Sequence, residues 1–212
     1  MKKLRQHLKA VRKAANKGFT LIELAIIGLF LGLLAVFAVS QFSSGASDTT
    51  RVTGMQEVAQ KISDNWALLA QSCGVSQDVT ALNLVTNNTT SAAAGNLSLL
   101  LGNSTPHATF TNCFNQSGIR PMTNMARGSA GSETVYDYPV TLGITTVGGR
   151  PAMLVNFAGV PENIALIAYN KFSSAAGAAT ATALPASDTT DTSLRLSTAT
   201  AGKRTVTFVR IL

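Results

Sequence analysis

The sequence predicts an α+β protein in which a long N-terminal α-helix packs, through its second half, on an antiparallel β-sheet. Three observations support this fold class. Residues 19–39 form an apolar run whose single charged side chain is Glu23. Residues 55–72 carry apolar side chains at helical spacing. Residues 133–212 contain β-branched and aromatic stretches separated by turn signals, as strands do.

Residues 1–18 are predicted to be a basic leader. The formal net charge of the chain is +7, and the leader accounts for all of it through Lys2, Lys3, Arg5, Lys9, Arg12, Lys13 and Lys17. Positive charge beside an apolar segment keeps that side in the cytoplasm. The remaining residues balance ten bases against ten acids. Because a neutral domain offers no basic surface to phosphates, no specific nucleic-acid binding is expected.

The hydrophobic stretch, residues 19–42, is predicted to be a transmembrane and assembly helix. At about 1.5 Å per residue its apolar run covers roughly 30 Å, the thickness of a bilayer core. A carboxylate inside such a segment costs about 2–4 kcal/mol, so Glu23 indicates a function. Three interpretations compete. The segment could be a secretory signal peptide cut after Ala38, an uncleaved signal anchor, or a third kind of signal in which Glu23 has a role of its own.

The sequence Gly18-Phe19-Thr20-Leu21-Ile22-Glu23 lies after a basic leader and before a long apolar helix. It resembles the class III signal of type IV pilins and related pseudopilins. The resemblance implies that a prepilin peptidase removes residues 1–18 by cutting between Gly18 and Phe19, that Phe19 is N-methylated, and that Glu23 acts in assembly. The new amine of one subunit then compensates the Glu23 carboxylate of its neighbour. The long leader is most similar to that of type IVb pilins.

Residues 43–73 are predicted to form the second half of the long helix. Gly45 and Gly54 weaken a helix by about 1 kcal/mol each, and the sequence leaves open whether residues 40–54 melt on assembly. Further on, seven apolar side chains predict a stripe that covers a sheet. They are Met55, Val58, Ala59, Ile62, Trp66, Leu69 and Ala70. The helix is expected to end at Cys73, with Gly74 as its C-cap.

The two cysteines, Cys73 and Cys113, are predicted to form a disulfide. An even number of cysteines in an exported segment favours a bridge. Closing a loop of about 40 residues stabilises a fold by roughly 4 kcal/mol on the chain-entropy estimate. Two cysteines and two scattered histidines, His7 and His107, make no ligand cluster, so neither a metal nor a cofactor is expected.

Residues 74–212 are predicted to form a globular α/β domain of the pilin type. Strands are expected over 135–142, 144–147, 151–157, 194–197 and 204–212, with turns at Gly148-Gly149 and Ala201-Gly202. A short helix is expected over 162–169, with Pro161 at its first position.

Two further predictions for this domain concern a polar segment and a set of arginines. Residues 173–193 are rich in Ala, Thr and Ser, which predicts an exposed loop. Four arginines, Arg120, Arg127, Arg150 and Arg204, are interpreted as a solvated surface, because scattered charges on a neutral domain seldom form a binding patch.

The residues and the resemblance together predict a structural protein. The sequence contains no nucleophile elbow, phosphate loop or other catalytic motif, so an enzyme is not expected. The resemblance implies a type IVb-like pilus subunit that polymerises through its N-terminal helix into an extracellular filament, used for adhesion, conjugation or related surface functions. Expected partners are other copies of the chain, the prepilin peptidase and the inner-membrane assembly machinery.

The resemblance places the prepilin in the bacterial inner membrane and the assembled subunit in a pilus at the cell surface. Two alternatives remain open. One is a minor pilin or type II secretion pseudopilin. The other is an exported binding domain held by an uncleaved signal anchor.

Overall fold

The computed structural model of the chain describes the backbone of residues 21–77, 93–102, 104–119, 122, 126–128 and 132–212, and their side chains except 21–24, 32–46, 93–96 and 144. The chain separates into two compact units, Met1–Ala46 and Ser47–Leu212. We call the second unit the head.

The described residues contain four α-helices and six β-strands. The helices are Leu21–Cys73 (α1), Ala93–Leu100 (α2), Thr111–Gln116 (α3) and Glu162–Phe172 (α4). The strands are Ala126–Arg127 (β1), Thr134–Val135 (β2), Tyr138–Val147 (β3), Arg150–Pro161 (β4), Leu194–Leu196 (β5) and Lys203–Ile211 (β6).

The six strands form one antiparallel sheet in the order β1-β2-β3-β4-β6-β5. β3 and β4 are joined at Gly148 and Gly149, whose φ angles of 57° and 78° suit the tight hairpin turn that the sequence predicted. The predicted final hairpin is also present, as β5 and β6. The fold is therefore α+β with an antiparallel sheet, which confirms the predicted class at this level.

Helix α1 is continuous for 53 residues and includes both Gly45 and Gly54. It ends as predicted, because Gly74 has a φ of 64° and the Val75 N–H donates to the Ala70 carbonyl at 3.0 Å. Among the helices that the structure describes, none combines the length and the apolar character needed to cross a membrane.

The predicted strand over 135–142 is wrong, because a tight turn divides it. Tyr136 and Asp137 connect β2 to β3 with φ angles of 51° and 69°. The alternating pattern missed this turn because Tyr is not a residue that marks one. β3 then continues through the break that was predicted before residue 144. Similarly, Pro161 is the N-cap of α4 rather than its first helical residue, and α4 extends to Phe172.

The buried stripe of α1 is confirmed. All seven side chains named from the sequence, including Trp66, are at most 1% exposed. They share one hydrophobic core with the apolar face of the sheet. On that face Phe157 and Phe208 pack edge to face, with ring centroids 5.8 Å apart. The second half of α1 is thus an integral part of the head.

Candidate functional site

The predicted processing and assembly residues lie just before, or at the start of, the part of the chain that the structure describes. Gly18 and Phe19 fall outside the described residues. For Glu23 the structure describes the backbone, which belongs to α1. Cleavage, N-methylation and the role of Glu23 in assembly stay predictions.

Just beyond Glu23, α1 presents an unusual surface. The segment Ala25–Leu31 contains seven consecutive residues that are apolar or glycine, and all seven are exposed. Leu29, Phe30 and Leu31 are 65%, 63% and 61% exposed. Successive helical residues are about 100° apart, so seven of them surround the helix almost twice. The segment therefore has no polar side along which water could solvate it.

The energetic consequence follows from the exposed area. Five large apolar side chains of this segment, Ile26, Ile27, Leu29, Phe30 and Leu31, are between 43% and 65% exposed. Burying such a side chain completely is worth about 1.5–3 kcal/mol. Since each is already about half covered, full burial of the segment would contribute about 5 kcal/mol per subunit.

A disulfide closes the far end of α1. Cys73, the last residue of α1, is bonded to Cys113 in α3, and their Cα atoms are 5.0 Å apart. The predicted bridge is therefore present. It connects residues 40 positions apart in the sequence and fixes the end of the helix to the segment that precedes the sheet.

Helix α4 contacts the part of α1 that begins the head. The Asn163 side-chain N–H donates to Asp48 Oδ2 at 3.1 Å, and the Lys171 ammonium donates to Thr53 Oγ1 at 2.9 Å. These contacts lie at the two ends of α4, so α4 is held along α1 at both ends. Contacts between α4 and α1 thus begin at Asp48, close to the start of the head.

Gly54 allows a second close contact with α1. The ring of Tyr136 lies against the Gly54 backbone so closely that a Cβ at position 54 would collide with Oη, Cε2 and Cζ of the ring. Tyr136 itself occupies the left-handed region in the turn between β2 and β3. Gly54, expected from the sequence only to weaken the helix, therefore provides the space in which this turn packs.

The interpretation of residues 173–193 as an exposed loop is wrong at two positions, because Ala178 and Asp191 are buried. Asp191 is held by a set of hydrogen bonds. Its carboxylate accepts hydrogen bonds from both Ser173 and Ser174 after α4, and from the backbone N–H groups of Ser193 and Leu194 at 2.7 and 3.2 Å before and within β5. Burial alone raises the pKa of Asp191, but these hydrogen bonds outweigh it and hold the pKa below its ordinary value of 3.8.

The interpretation of the arginines as a solvated surface is wrong for Arg204, which is 7% exposed. Its Nε donates to Glu162 Oε1 at 3.0 Å. Its Nη1 is surrounded by three backbone carbonyls, those of Pro185, Ala186 and Ser197, at 2.8, 2.9 and 3.1 Å. The guanidinium is thus fixed in place and holds the loop before β5 against α4.

The other three arginines have different surroundings. Arg127 and Arg150 are exposed, and Arg150 donates to the Leu212 carbonyl at 3.1 Å. Arg120 lies outside the described residues.

A sequence signal for the burial of Arg204 existed. In an antiparallel strand alternate residues share a face, and Arg204 has the same parity in β6 as Val206 and Phe208, which are buried in the core. For Asp191 the signal is weaker. Asp191 follows Asp188 in a stretch of Thr and Ser just before a strand, which fits an Asx turn, although this pattern does not predict bonds to residues 17 or 18 positions earlier.

Beside Arg204 the head has a pocket of about 310 Å³, formed by the first turns of α4 and the loop before β5. Its lining residues are Glu162, Asn163, Leu166, Thr182, Ala183, Leu184 and Arg204. The part of the chain that the structure describes contains no group of three His, Cys, Asp or Glu side chains arranged to hold a metal ion.

The first unit thus presents an apolar helix segment, Ala25–Leu31. The head contains one disulfide and three buried, hydrogen-bonded charged residues, Glu133, Asp191 and Arg204. No protein-family model, curated protein or solved structure matches this chain.

Proposed function

We propose that this chain is a structural subunit of a type IV pilus, most like a type IVb pilin. It is made as an inner-membrane prepilin, cut after Gly18, N-methylated at Phe19, and polymerised through its N-terminal helix into an extracellular filament. The observation that carries the proposal is the exposed, entirely apolar surface of Ala25–Leu31. Such a surface is suited to a bilayer before assembly and to neighbouring helices afterwards.

Burial of this helix supplies most of the cohesion between subunits. The apolar segment contributes about 5 kcal/mol per subunit when fully covered, and more when the rest of the 19–42 stretch is included. Glu23 has a different role. A buried carboxylate is costly unless a cation pairs with it, so the N-terminal amine of a neighbouring Phe19 sets the register of the helices rather than adding bulk stability.

The disulfide and the fold of the head support the same proposal. A bridge between Cys73 and Cys113 suits a compartment outside the cytoplasm. The second half of α1 forms part of the core of an α+β domain with an antiparallel sheet. The proposed polymerisation uses the first half of α1, whereas the second half belongs to the head, and this division is expected of a pilin.

The test is to shear filaments from cells that express the chain and to determine its N-terminus by mass spectrometry. We expect this chain to dominate the filament and to begin with N-methylated Phe19. The variant Glu23→Ala should be cut normally but recovered in filaments at a small fraction of the wild-type yield. Glu57→Ala removes an exposed acid from the same helix and is the matched control, with wild-type assembly expected.

Each outcome separates the proposal from its alternatives. A chain that retains residues 1–18 is an anchored domain, and the proposal fails. A correctly cut chain that forms only a trace component of the filaments is a minor pilin or pseudopilin. Wild-type filament yield from Glu23→Ala contradicts the role assigned to Glu23.

A further inference from the structure

We propose that the pocket beside Arg204 binds one uncharged sugar ring, as a single sugar or as the terminal residue of a longer saccharide. All of the residues that line this pocket belong to the head. Sugar binding goes beyond the proposed function, because it is a property of the single subunit and does not require a filament.

Arg204 leaves two hydrogen-bond donors unused at this pocket. An arginine side chain carries five N–H donors. The Nε–H group donates to Glu162, and Nη1 donates to the carbonyls of the loop before β5 and of Ser197. No described residue accepts a hydrogen bond from Nη2. Because Arg204 lines the pocket, Nη2 is the nitrogen left for a molecule that enters it.

This nitrogen is accessible although Arg204 is only 7% exposed. Among the described residues, the enclosed side-chain nitrogen and oxygen atoms without a hydrogen-bond partner belong to Trp66, Asn170 and Arg210. Nη2 of Arg204 also lacks a partner and is absent from that group, so protein does not enclose it. A ligand that accepts from Nη2 therefore supplies hydrogen bonds that the head itself does not make.

Glu162 provides an acceptor next to these donors. Its Oε1 accepts from Arg204 at 3.0 Å, and no described residue donates a hydrogen bond to Oε2. The two side chains carry opposite charges, so the site attracts neither an anion nor a cation strongly. The ligand must therefore be uncharged, accept from Nη2 and donate to Oε2. Two neighbouring hydroxyl groups satisfy both, because a hydroxyl is a donor as well as an acceptor.

The rest of the lining offers an apolar surface. Leu166 and Leu184 are half-buried, and Ala183 lies beside Leu184 in the chain. None of the described residues that line the pocket is aromatic, so a nucleobase finds no ring on which to stack. A purely apolar ligand would leave Nη2 and Oε2 unpaired, which lowers affinity. Adjacent hydroxyls together with a C–H face are the pattern of a pyranose ring.

The size of the pocket suits one such ring. Ligand pockets range from about 300 to 1,000 Å³, and this one, at about 310 Å³, lies at the lower limit. Its polar groups are held before anything binds, because Arg204 is fixed by four hydrogen bonds and Asn163 donates to Asp48 at 3.1 Å. Little ordering is then needed on binding. A ring of about a dozen non-hydrogen atoms at ordinary ligand efficiency binds with a Kd of about 1 mM.

The test is binding of methyl glycosides to the full chain, solubilised in a detergent without a sugar headgroup and measured by saturation-transfer NMR. The probes are the methyl glycosides of glucose, galactose, mannose, N-acetylglucosamine and N-acetylgalactosamine. We expect at least one of them to bind with a Kd of about 1 mM. If none binds at about ten times that concentration, the inference is overturned.

A variant of the loop shows whether the sugar occupies this pocket. Ala183→Glu introduces a carboxylate that competes with the sugar for Nη2, and it should weaken binding at least about tenfold. Ala179→Glu makes the same change at an exposed residue of the same loop outside the lining, and it should bind as the wild type does. Urea unfolding followed by Trp66 fluorescence checks that both variants fold. Unchanged affinity of Ala183→Glu, or equal weakening by both changes, places the sugar elsewhere and overturns the inference.

A second variant tests the assigned chemistry. Glu162→Gln keeps an acceptor for Nε of Arg204 but replaces the second carboxylate oxygen by an amide donor, so the sugar should bind about tenfold more weakly. Glu57→Gln removes the charge of an exposed acid on α1, away from the lining, and serves as the control. Equal affinity of Glu162→Gln and the wild type contradicts the pairing of a hydroxyl with Oε2.

Such a sugar has two sources, the glycans of another cell and the polysaccharide of the producing cell. Applying the wild-type chain to an array that carries both sets distinguishes them. Binding to either set that is lost with Ala183→Glu supports the site and identifies the source, whereas binding to neither overturns it. Filament formation is scored separately, so failure of the proposed function and failure of this site remain distinguishable.

Discussion

Replacing Gly54 by alanine tests whether this glycine only weakens α1 or also provides the space that the Tyr136 ring needs. If Gly54 only weakens α1, Gly54→Ala should stabilise the chain by up to about 1 kcal/mol, the difference in helix propensity. In the structure a Cβ at this position collides with three atoms of the Tyr136 ring. Overpacking of this kind costs about 1–3 kcal/mol. Because these three atoms belong to a rigid ring that can move only as a whole, we expect a net loss of about 1–2 kcal/mol.

The comparison that isolates the cause is a double-mutant cycle. Tyr136→Gly removes the ring and suits the left-handed conformation of this turn residue, whose φ is 51°. In that background the collision is absent, so Gly54→Ala should become stabilising by up to about 1 kcal/mol. The change of sign corresponds to a coupling energy of about 2–3 kcal/mol between the two positions.

Urea unfolding of the detergent-solubilised chain measures these free energies. The fluorescence of Trp66 reports on the core directly, because it is the only tryptophan of the chain and is fully buried. In thermal unfolding the loss from Gly54→Ala should lower the melting temperature by about 2–8 °C. A stabilising effect of Gly54→Ala in the wild-type background, or an equal effect in both backgrounds, refutes the contact between Tyr136 and α1.

The remaining predictions concern Asp191 and the disulfide. Asp191→Asn should lower the free energy of unfolding at pH 7 by about 2 kcal/mol, because it removes the charge from several hydrogen bonds. Since folding lowers the pKa of Asp191, its contribution is complete above 3.8 and is lost as the pH falls through the folded-state pKa. The difference between wild type and variant, measured by urea unfolding, should therefore shrink below about pH 4, and a difference independent of pH contradicts this role. Changing Cys73 and Cys113 together to serine should cost about 4 kcal/mol in the same assay, whereas a loss below about 1 kcal/mol would show that packing alone fixes the end of α1.

The amphipathic part of α1 and the hairpin strands were predictable because periodicity reports directly on burial. Seven apolar side chains at helical spacing identified the face of α1 that lies in the core, and Gly148-Gly149 identified a turn. The bridge between Cys73 and Cys113 followed from the even number of cysteines in a segment expected to be exported. Each of these predictions rests on a short stretch of sequence or on the number of cysteines.

The features that sequence reasoning missed depend on pairs of residues far apart in the chain. Tyr136 adopts a left-handed turn conformation while its ring packs on Gly54, more than 80 positions earlier. Arg204 is fixed by carbonyls from two separate segments, and Asp191 joins the end of α4 to β5. No local pattern encodes these partners. The pocket beside Arg204 was missed for the same reason, since the loop and the helix that form it meet only in the folded head.

The position of β6 affects how an incomplete chain behaves. β6 comes after the other strands in the sequence, yet it lies between β4 and β5 in the sheet. A chain that stops before Lys203 therefore leaves the edges of both neighbours without hydrogen-bond partners and uncovers the core face that Val206 and Phe208 would fill. Unpaired strand edges beside apolar surface are prone to aggregate. Truncation before Lys203 should thus be as damaging to solubility as loss of a central strand, although it removes only ten of the 212 residues.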